Sequence, residues 1–452
     1  MTPQKRLVDG GRILVLSYYY PPISAGPTFV IRALLGQFDR TGMTVFSGDP
    51  MRYPLHRDPS LGTGAEARRY DVPSWWPLDD AAVRIGRRVV RVRVRSLGNI
   101  LVALRVAIAA ARELRTPETR ALLAVYPKQH FLLGACLASL MSRKPLLVYF
   151  MDVYVEGLEG GRRIARMIER IVASRAVVVF AMSGPHREHL ERTLTRRGRT
   201  PVVIELPHPY EDEDIGVEGT SIAPDARPAI VFTGAIYDAQ AEAIRRLTAA
   251  LVAPELAHVH LHLITQTSLS DLAKHGIEPS ERVHIATATR AAARSAQRAA
   301  DVLFLPIAFD AKEHVRRTAS PSKMPEYLAA GRPILAHAPP DSYIARYASQ
   351  FGFAEVVDRP SERELAAAAR RLLDDPERRG QLAARAERAL ERHRAATVAA
   401  ALAAGVARAV GGLSGASYEL AHAAEIARSD ETRRGHDTDR EGNPDNSELD
   451  VT

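Results

Sequence analysis

Twelve strand-length apolar runs recur along the 452-residue chain, each followed by a stretch with helical patterning. Ile13–Ser17, Thr44–Phe46, Ala121–Val125, Leu146–Phe150, Ala176–Ala181 and Val202–Glu205 fall in the first half. Ala229–Phe232, Val259–Ile264, Val283–Ile285, Asp301–Pro306, Pro333–Ala336 and Ala354–Val357 fall in the second. A strand that is apolar on both sides must be buried on both faces, and helices between such strands make the sheet parallel. This predicts the α/β class. The segment between Leu206 and Ala229 holds several prolines, six acids and no apolar period, and divides the strands six and six. Two doubly wound, Rossmann-like domains facing across a cleft are therefore expected, because ligands of such sheets lie beyond the carboxyl ends of the strands. The expected division is 1–208 and 229–395 for the domains, with 209–228 as hinge. Residues 396–412 are expected to be helical, and 413–452 a mostly disordered tail with little to bury.

Composition excludes several classes. The single cysteine, Cys136, lies in the apolar run FLLGACLASL and reads as a buried core thiol; it rules out an internal disulfide framework. No apolar run reaches the roughly 20 residues of a membrane span. The opening MTPQKRLVDGGRILVLS lacks the long apolar region of a signal peptide, so a cytoplasmic location is expected. The net charge of +8 is local: 81–115 carries nine arginines against one glutamate, whereas 428–452 carries four against eight acids. Nucleic-acid binding along the whole chain is not expected. Read as a helix, 84–95 gathers five of six arginines, Arg84, Arg88, Arg91 and Arg95 among them, on one arc. With Trp75-Trp76 just before it, that face suits an anionic membrane surface, or equally a solvated flank. No HExxH or paired-cysteine spacing occurs, and no metal is expected.

Four junctions carry residues suited to chemistry. In Ser17-YYYPPISAGPT-Phe29 the loop backbone can approach a ligand at Gly26, and the helix after it aims N–H groups at an anion; a rigid turn explains the same residues. In Val148-YFMDVYVEG-Leu158, Asp152 and Glu156 follow a buried strand, placed either for acid–base work at the cleft or for a helix start. Phe232-TGAIYDAQAE-Ala243 places Gly234 where a phosphate-cradling turn is expected. Finally, Lys312, Arg316, Arg317 and Lys323 lead to a helix start at Ser322-Lys-Met-Pro-Glu326. Cations at a helix start suit a diphosphate, and Glu326 suits paired ribose hydroxyls. Alternatively Ser322 caps the helix and Glu326 favours its first turn.

These stretches resemble, in order and spacing, family-four glycosyltransferases of the GT-B fold, bacterial cell-surface polysaccharide type. Tyr19-Tyr-Pro-Pro-x3-Ala-Gly26, Asp152-Val-Tyr-Val-Glu156 and Gly234-Ala-Ile-Tyr-Asp-Ala-Gln240 are similar to three family segments. Pro321-Ser-Lys-x2-Glu-Tyr-Leu-Ala-Ala-Gly-Arg-Pro-Ile334 resembles the family signature most specifically. The resemblance implies a nucleotide-diphosphate sugar as donor, no further cofactor, and retaining, metal-independent transfer to a glycan or lipid-linked acceptor. It places Glu326 on the ribose, Ser322, Lys323 and Gly26 at the diphosphate, Asp152 at the sugar or acceptor, and the C-terminal helix at 396–412 back against the N-terminal domain. The chain departs from the family at Thr318, where many members have a glutamate, and at Gln240, near where a basic residue is common; Arg316 or Arg317 would substitute. A catalytically weak subunit that binds nucleotide or supports a partner is the alternative. The absence of GxGxxG argues against a nicotinamide-dependent enzyme.

Overall fold

The computed structural model describes residues 7–8, 10–49, 57–58, 61–71, 81–85, 88–92, 94–157, 162–195, 200–212 and 227–411. The first half runs β1 (Arg12–Ser17), α1 (Gly26–Leu35), β2 (Met43–Ser47), β3 (Arg68–Arg69), β4 (Ala81–Ile85), β5 (Arg88–Val92), α2 (Val94–Leu114), β6 (Thr119–Tyr126), α3 (Gln129–Ser142), β7 (Leu146–Phe150), α4 (Arg162–Arg175), β8 (Ala176–Ala181), α5 (Gly184–Leu194) and β9 (Val202–Glu205). The second runs β10 (Ala229–Thr233), α6 (Asp238–Ala250), β11 (His260–Ile264), α7 (Leu269–Lys274), β12 (Val283–Ala286), α8 (Arg290–Ala299), β13 (Val302–Pro306), α9 (Glu313–Thr318), α10 (Met324–Ala329), β14 (Ile334–His337), α11 (Tyr343–Phe351), β15 (Ala354–Val357), α12 (Glu362–Asp374), α13 (Pro376–Leu390) and α14 (Ala395–Ala409).

All twelve expected strands form, in two parallel sheets ordered β3-β2-β1-β6-β7-β8-β9 and β12-β11-β10-β13-β14-β15. Their continuous apolarity has the anticipated cause. Leu14, Val15 and Leu16 of β1 are buried in succession, as are Ile230, Val231 and Phe232 of β10, because helices cover both faces. In the first sheet α2, α3, α4 and α5 share one core with alternate strand residues, and α1 and α14 share the other. Strand order reverses between β1 and β6 and between β10 and β13, which opens a crevice at the carboxyl ends there. The β1–α1, β7–α4 and β10–α6 junctions carry Gly26, Asp152 and Gly234, and the α9–α10 junction after β13 carries Ser322 to Glu326.

Helix α14 crosses back onto the first sheet, burying Val398, Leu402 and Val406 among Val178, Phe180 and Ile204. Spacing of four residues aligns these three on one stripe. Gly405 permits the approach: a Cβ there would stand 2.5 Å from Phe180 Cζ. Cys136 is a buried core thiol, its pKa pushed up to about 12 by burial.

One expected element is corrected. The 84–95 segment is not a single helix; β4 and β5 pair antiparallel, Arg84 opposite Val89 and Ile85 opposite Arg88. Helix begins only at Val94, so Arg84, Arg88 and Arg91 lie in the hairpin and Arg95 in α2. The four valines at 83, 89, 90 and 92 favour the extended backbone, where β-branched side chains keep their χ1 freedom. Trp75, Trp76 and the 413–452 tail lie outside the described residues.

Candidate functional site

At the end of β10 the chain turns through Gly234 with φ +110°, a conformation that side chains disfavour. Its N–H donates to the Ile264 carbonyl at 2.9 Å, so the turn is fixed by the neighbouring strand. Lys323 fills the space that a side chain would need: a Cβ on Gly234 would lie 3.2 Å from Nζ. That ammonium sits 3.7 Å from the centroid of the Phe232 ring. Burial pushes Lys323 down to about 7, and the Glu326 carboxylate opposes the shift only in part. Among the described residues no hydrogen bond reaches Nζ, so a cation is held beside an open glycine turn without a fixed acceptor.

Tyr327, one residue beyond Glu326, sets this register. Its Oη accepts from the Thr233 N–H at 2.8 Å, which ties α10 to the last residue of β10. Gln297 Nε2 donates to Thr233 Oγ1 at 2.8 Å and to Glu326 Oε2 at 3.3 Å. Sequence reading singled out neither Tyr327 nor Gln297, although the tyrosine stands inside the quoted signature.

The first domain meets this turn at Gly26, where a Cβ would lie 3.6 Å from Ser322 Oγ. Ser322 is exposed, and the N-cap of α10 is Lys323, with no side-chain cap, so the alternative of a capping serine does not hold. Asp152 follows β7 with its carboxylate open to the cleft, yet surrounding protein raises its pKa to about 6. Across the cleft Tyr237 titrates above the usual phenol range, chiefly through burial and to a lesser degree through the Asp152 charge. Glu156 turns elsewhere, its Oε2 lying 3.4 Å from His189 Nε2 of α5.

Glu326 is already engaged. Arg290 Nε and Nη2 donate to its Oε1 at 3.1 and 2.9 Å, and Arg294 Nε lies 3.5 Å away. Arg290 also spans the cleft, with its guanidinium carbon 4.4 Å from the centroid of the Phe29 ring in α1. The expected gathering of cations is not what the contacts give. Arg316 donates to the Phe309 carbonyl and pairs with Asp341 at 3.1 Å, and Arg317 pairs with Glu313 at 3.2 Å. Both are on a six-residue α9 whose ends are held by local partners, whereas Lys323 is carried by the following turn to Gly234. Thr318 Oγ1 bonds back to the His314 carbonyl at 2.6 Å, and Gln240 is buried beside Tyr237.

Histidines line the seam between the halves. Ser183 Oγ donates to the Thr318 carbonyl at 2.9 Å, bringing the start of α5 onto the α9–α10 loop. Behind it His186, His208 and His393 are buried and neutral, with burial pushing them down to about 3, 4 and 4. His393 Nδ1 meets the His208 carbonyl at 2.9 Å, and its Nε2 meets Tyr347 Oη at 3.1 Å. One alternating run, His258-Val-His260-Leu-His262, is a metal-like spacing that the sequence reading missed. Period two puts His260 and His262 on one face of β11, where both stack on His284 of β12. Among the described residues no group of three such side chains could hold a metal ion.

No family model matches the chain, and no curated protein does. Solved structures do. HepE of Anabaena in complex with UDP-glucose is similar over 88% of this chain and 100% of its own, at 13% identity and TM-score 0.61. The α,α-trehalose 6-phosphate synthase of Burkholderia multivorans is similar over 88% and 98%, also at 13% identity and TM-score 0.61. The lipopolysaccharide outer core galactosyltransferase WaaB, in its apo form, follows over 87% and 99%, at 12% identity and TM-score 0.55. This chain shares their two-domain GT-B architecture.

Proposed function

We propose that this protein transfers a sugar from a nucleotide diphosphate to a glycan or lipid-linked acceptor. The observation that carries the reading is the meeting of Lys323, Gly234, Ser322 and Gly26 at facing strand ends of two domains. A diphosphate needs a cation, close backbone approach and room, and this turn offers all three. Bound UDP and UDP-glucose in the HepE structures of the same architecture support a sugar nucleotide as donor. In this reading Lys323 stabilises charge on the leaving diphosphate as the glycosidic bond breaks. Neutralisation by a lysine supports metal-independent transfer, and the resemblance at Pro321–Ile334 supports retention of configuration. Asp152, at the opposite wall and poised near pH 6, contacts the reacting sugar or acceptor. Arg316 and Arg317 would reach the diphosphate only by leaving Asp341 and Glu313. The enzyme acts in the cytoplasm, attached peripherally to the membrane.

Isothermal titration with UDP, GDP and their sugars tests the donor. Lys323→Ala should weaken binding by roughly 10–100-fold, the worth of a charge-assisted hydrogen bond. Gly234→Val should abolish it, since φ +110° and the ammonium 3.2 Å away both exclude a branched side chain. If no sugar nucleotide binds at about 1 mM, the reading fails. A second reading, binding without turnover, is favoured by the engagement of Glu326 with Arg290 and Arg294 and by Thr318. Nucleotide binding with no transfer or hydrolysis from any donor would select it.

A further inference from the structure

Helix α2 packs by Val102, Val106, Ala110 and Leu114 into the core it shares with α3. The join is tight: a Cβ on Gly134 of α3 would stand 2.9 Å from Val106 Cγ1. Its opposite side ought to be polar, and it is not. Leu97, Leu101, Leu104 and Ile108 are between 44% and 51% exposed. At 100° per residue they fall within an arc of roughly 60° and run about 16 Å along the axis. Arg105 and Arg112, both exposed, flank one side of this stripe. An exposed apolar stripe on an otherwise well-packed helix implies a covering surface.

The charge around the stripe identifies what covers it. The 81–115 stretch holds nine arginines against a single acid, Glu113. That carboxylate is turned to its own domain, accepting from Arg68 at 3.0 Å and from Thr44 Oγ1 at 3.0 Å. The β4–β5 hairpin leads into α2 and adds Arg84, Arg88 and Arg91 to the same stretch. Two helices along the same sheet face, α4 presents Arg163, Arg166 and Arg170 to solvent around exposed Met167. A second copy of the chain would bring arginine against arginine. An anionic bilayer complements both features: acyl chains accept the leucines, and headgroups accept the guanidiniums.

We propose that α2 lies in the interface of an anionic membrane, with Leu97, Leu101, Leu104 and Ile108 inserted and Arg105 and Arg112 on the headgroups. Helix α2 precedes β6 and runs antiparallel to it, so its Leu97 end lies at the strand ends that border the cleft. The inserted stripe thus orients the cleft rim to the lipid surface. No described helix is long and apolar enough to cross a membrane, which is consistent with lying on one. This inference extends the peripheral attachment in the functional reading and replaces an arginine helix face with a leucine stripe as its main contact.

The test is co-sedimentation of the full chain with vesicles of phosphatidylcholine alone or with added phosphatidylglycerol, at low and high salt. Binding should require phosphatidylglycerol and weaken with salt. Leu101→Gln with Leu104→Gln should lower the partition coefficient about tenfold. Arg105→Gln with Arg112→Gln should do the same at low salt and little at high salt. Each variant should melt like the parent, since these side chains face solvent; if the leucine pair unfolds the chain, the arginine pair decides. Absence of binding to anionic vesicles overturns the proposal. So does binding that the leucine pair leaves unchanged, or sedimentation velocity showing that the stripe only holds two copies together. Vesicle binding needs no donor or acceptor, so a failed transfer assay leaves this result standing, and the reverse also holds.

Discussion

Glu326 shows how a side chain with one proposed ligand role acquires a structural one. Its carboxylate holds Arg290 and sits beside Arg294, whose side chain is only 3% exposed. Removing the acid takes the carboxylate from both cations and leaves Arg290 with Phe29 and Arg294 with the Glu211 carbonyl, so Glu326→Ala should cost about 2–3 kcal/mol of stability on top of any effect on ligand. Glu326→Gln keeps an acceptor oxygen for Arg290, loses the acceptor for Gln297 Nε2, and should cost less; thermal melts of the pair separate the two roles. If the two variants melt alike, the ion pairs contribute nothing. Asp152 permits a cleaner substitution, because among the described residues no hydrogen bond or ion pair engages its carboxylate. With its pKa near 6, transfer should lose activity below pH 6 as the carboxylate protonates. Asp152→Asn should lower turnover about 100-fold or more and abolish that acid limb. Retention of the limb in the variant would assign it to another group. Asp152, Gly234 and Lys323 were all legible as residues. The partners of Glu326 were not: Arg290 is 36 positions away, and the Phe29 ring that packs on Arg290 belongs to the other domain.

At the scale of elements, the segments crossing the seam carry a pH dependence. His186 of α5, His208 before the linker and His393 before α14 titrate at about 3, 4 and 4 when folded, against about 6.5 when unfolded. The unfolded chain therefore binds more protons between those values. The stability that these groups contribute is complete above pH 6.5 and is lost as pH falls towards 4. Each can contribute at most about 1.4 kcal/mol per pH unit. The facing groups do not rescue it: Arg392 opposes protonation of His393, and Glu205 lies 3.8 Å from Arg392 instead. Denaturant titrations at pH 7.5 and 5.5 should differ by roughly 2–4 kcal/mol. His186→Leu should flatten the slope by about a third, because among the described residues neither of its ring nitrogens has a hydrogen-bond partner to lose. An unchanged slope would refute the assignment. The histidine at 208 was visible as a hinge residue, but its pairing with His393 spans 185 positions.

For the molecule as a whole, the cleft couples nucleotide binding to a proton. Burial holds Lys323 near 7, and a diphosphate beside it would raise that value. Nucleotide affinity should then be highest below pH 7 and fall by up to about tenfold per pH unit above it. Titration at pH 8 in buffers of different ionisation enthalpy should show proton uptake of a substantial fraction, absent in Lys323→Ala. A chelator should leave the affinity unchanged, because the neutralising charge belongs to the chain. Proton release, or affinity independent of pH, would remove Lys323 from the diphosphate.

The sequence by itself determined the two parallel sheets and which strands belong to each. Burial on both faces demands continuous apolar runs, and that demand is written locally. The same locality misled at 84–95, where arginine spacing suggested a helix and the valines set a hairpin. Only the tertiary structure decided which charges remain open. Arg316 and Arg317 found Asp341 and Glu313, Glu326 found Arg290, and Lys323 was left above a glycine turn with a lowered pKa. Charge neutralisation and desolvation depend on distances between segments far apart in the chain, and no local pattern encodes them.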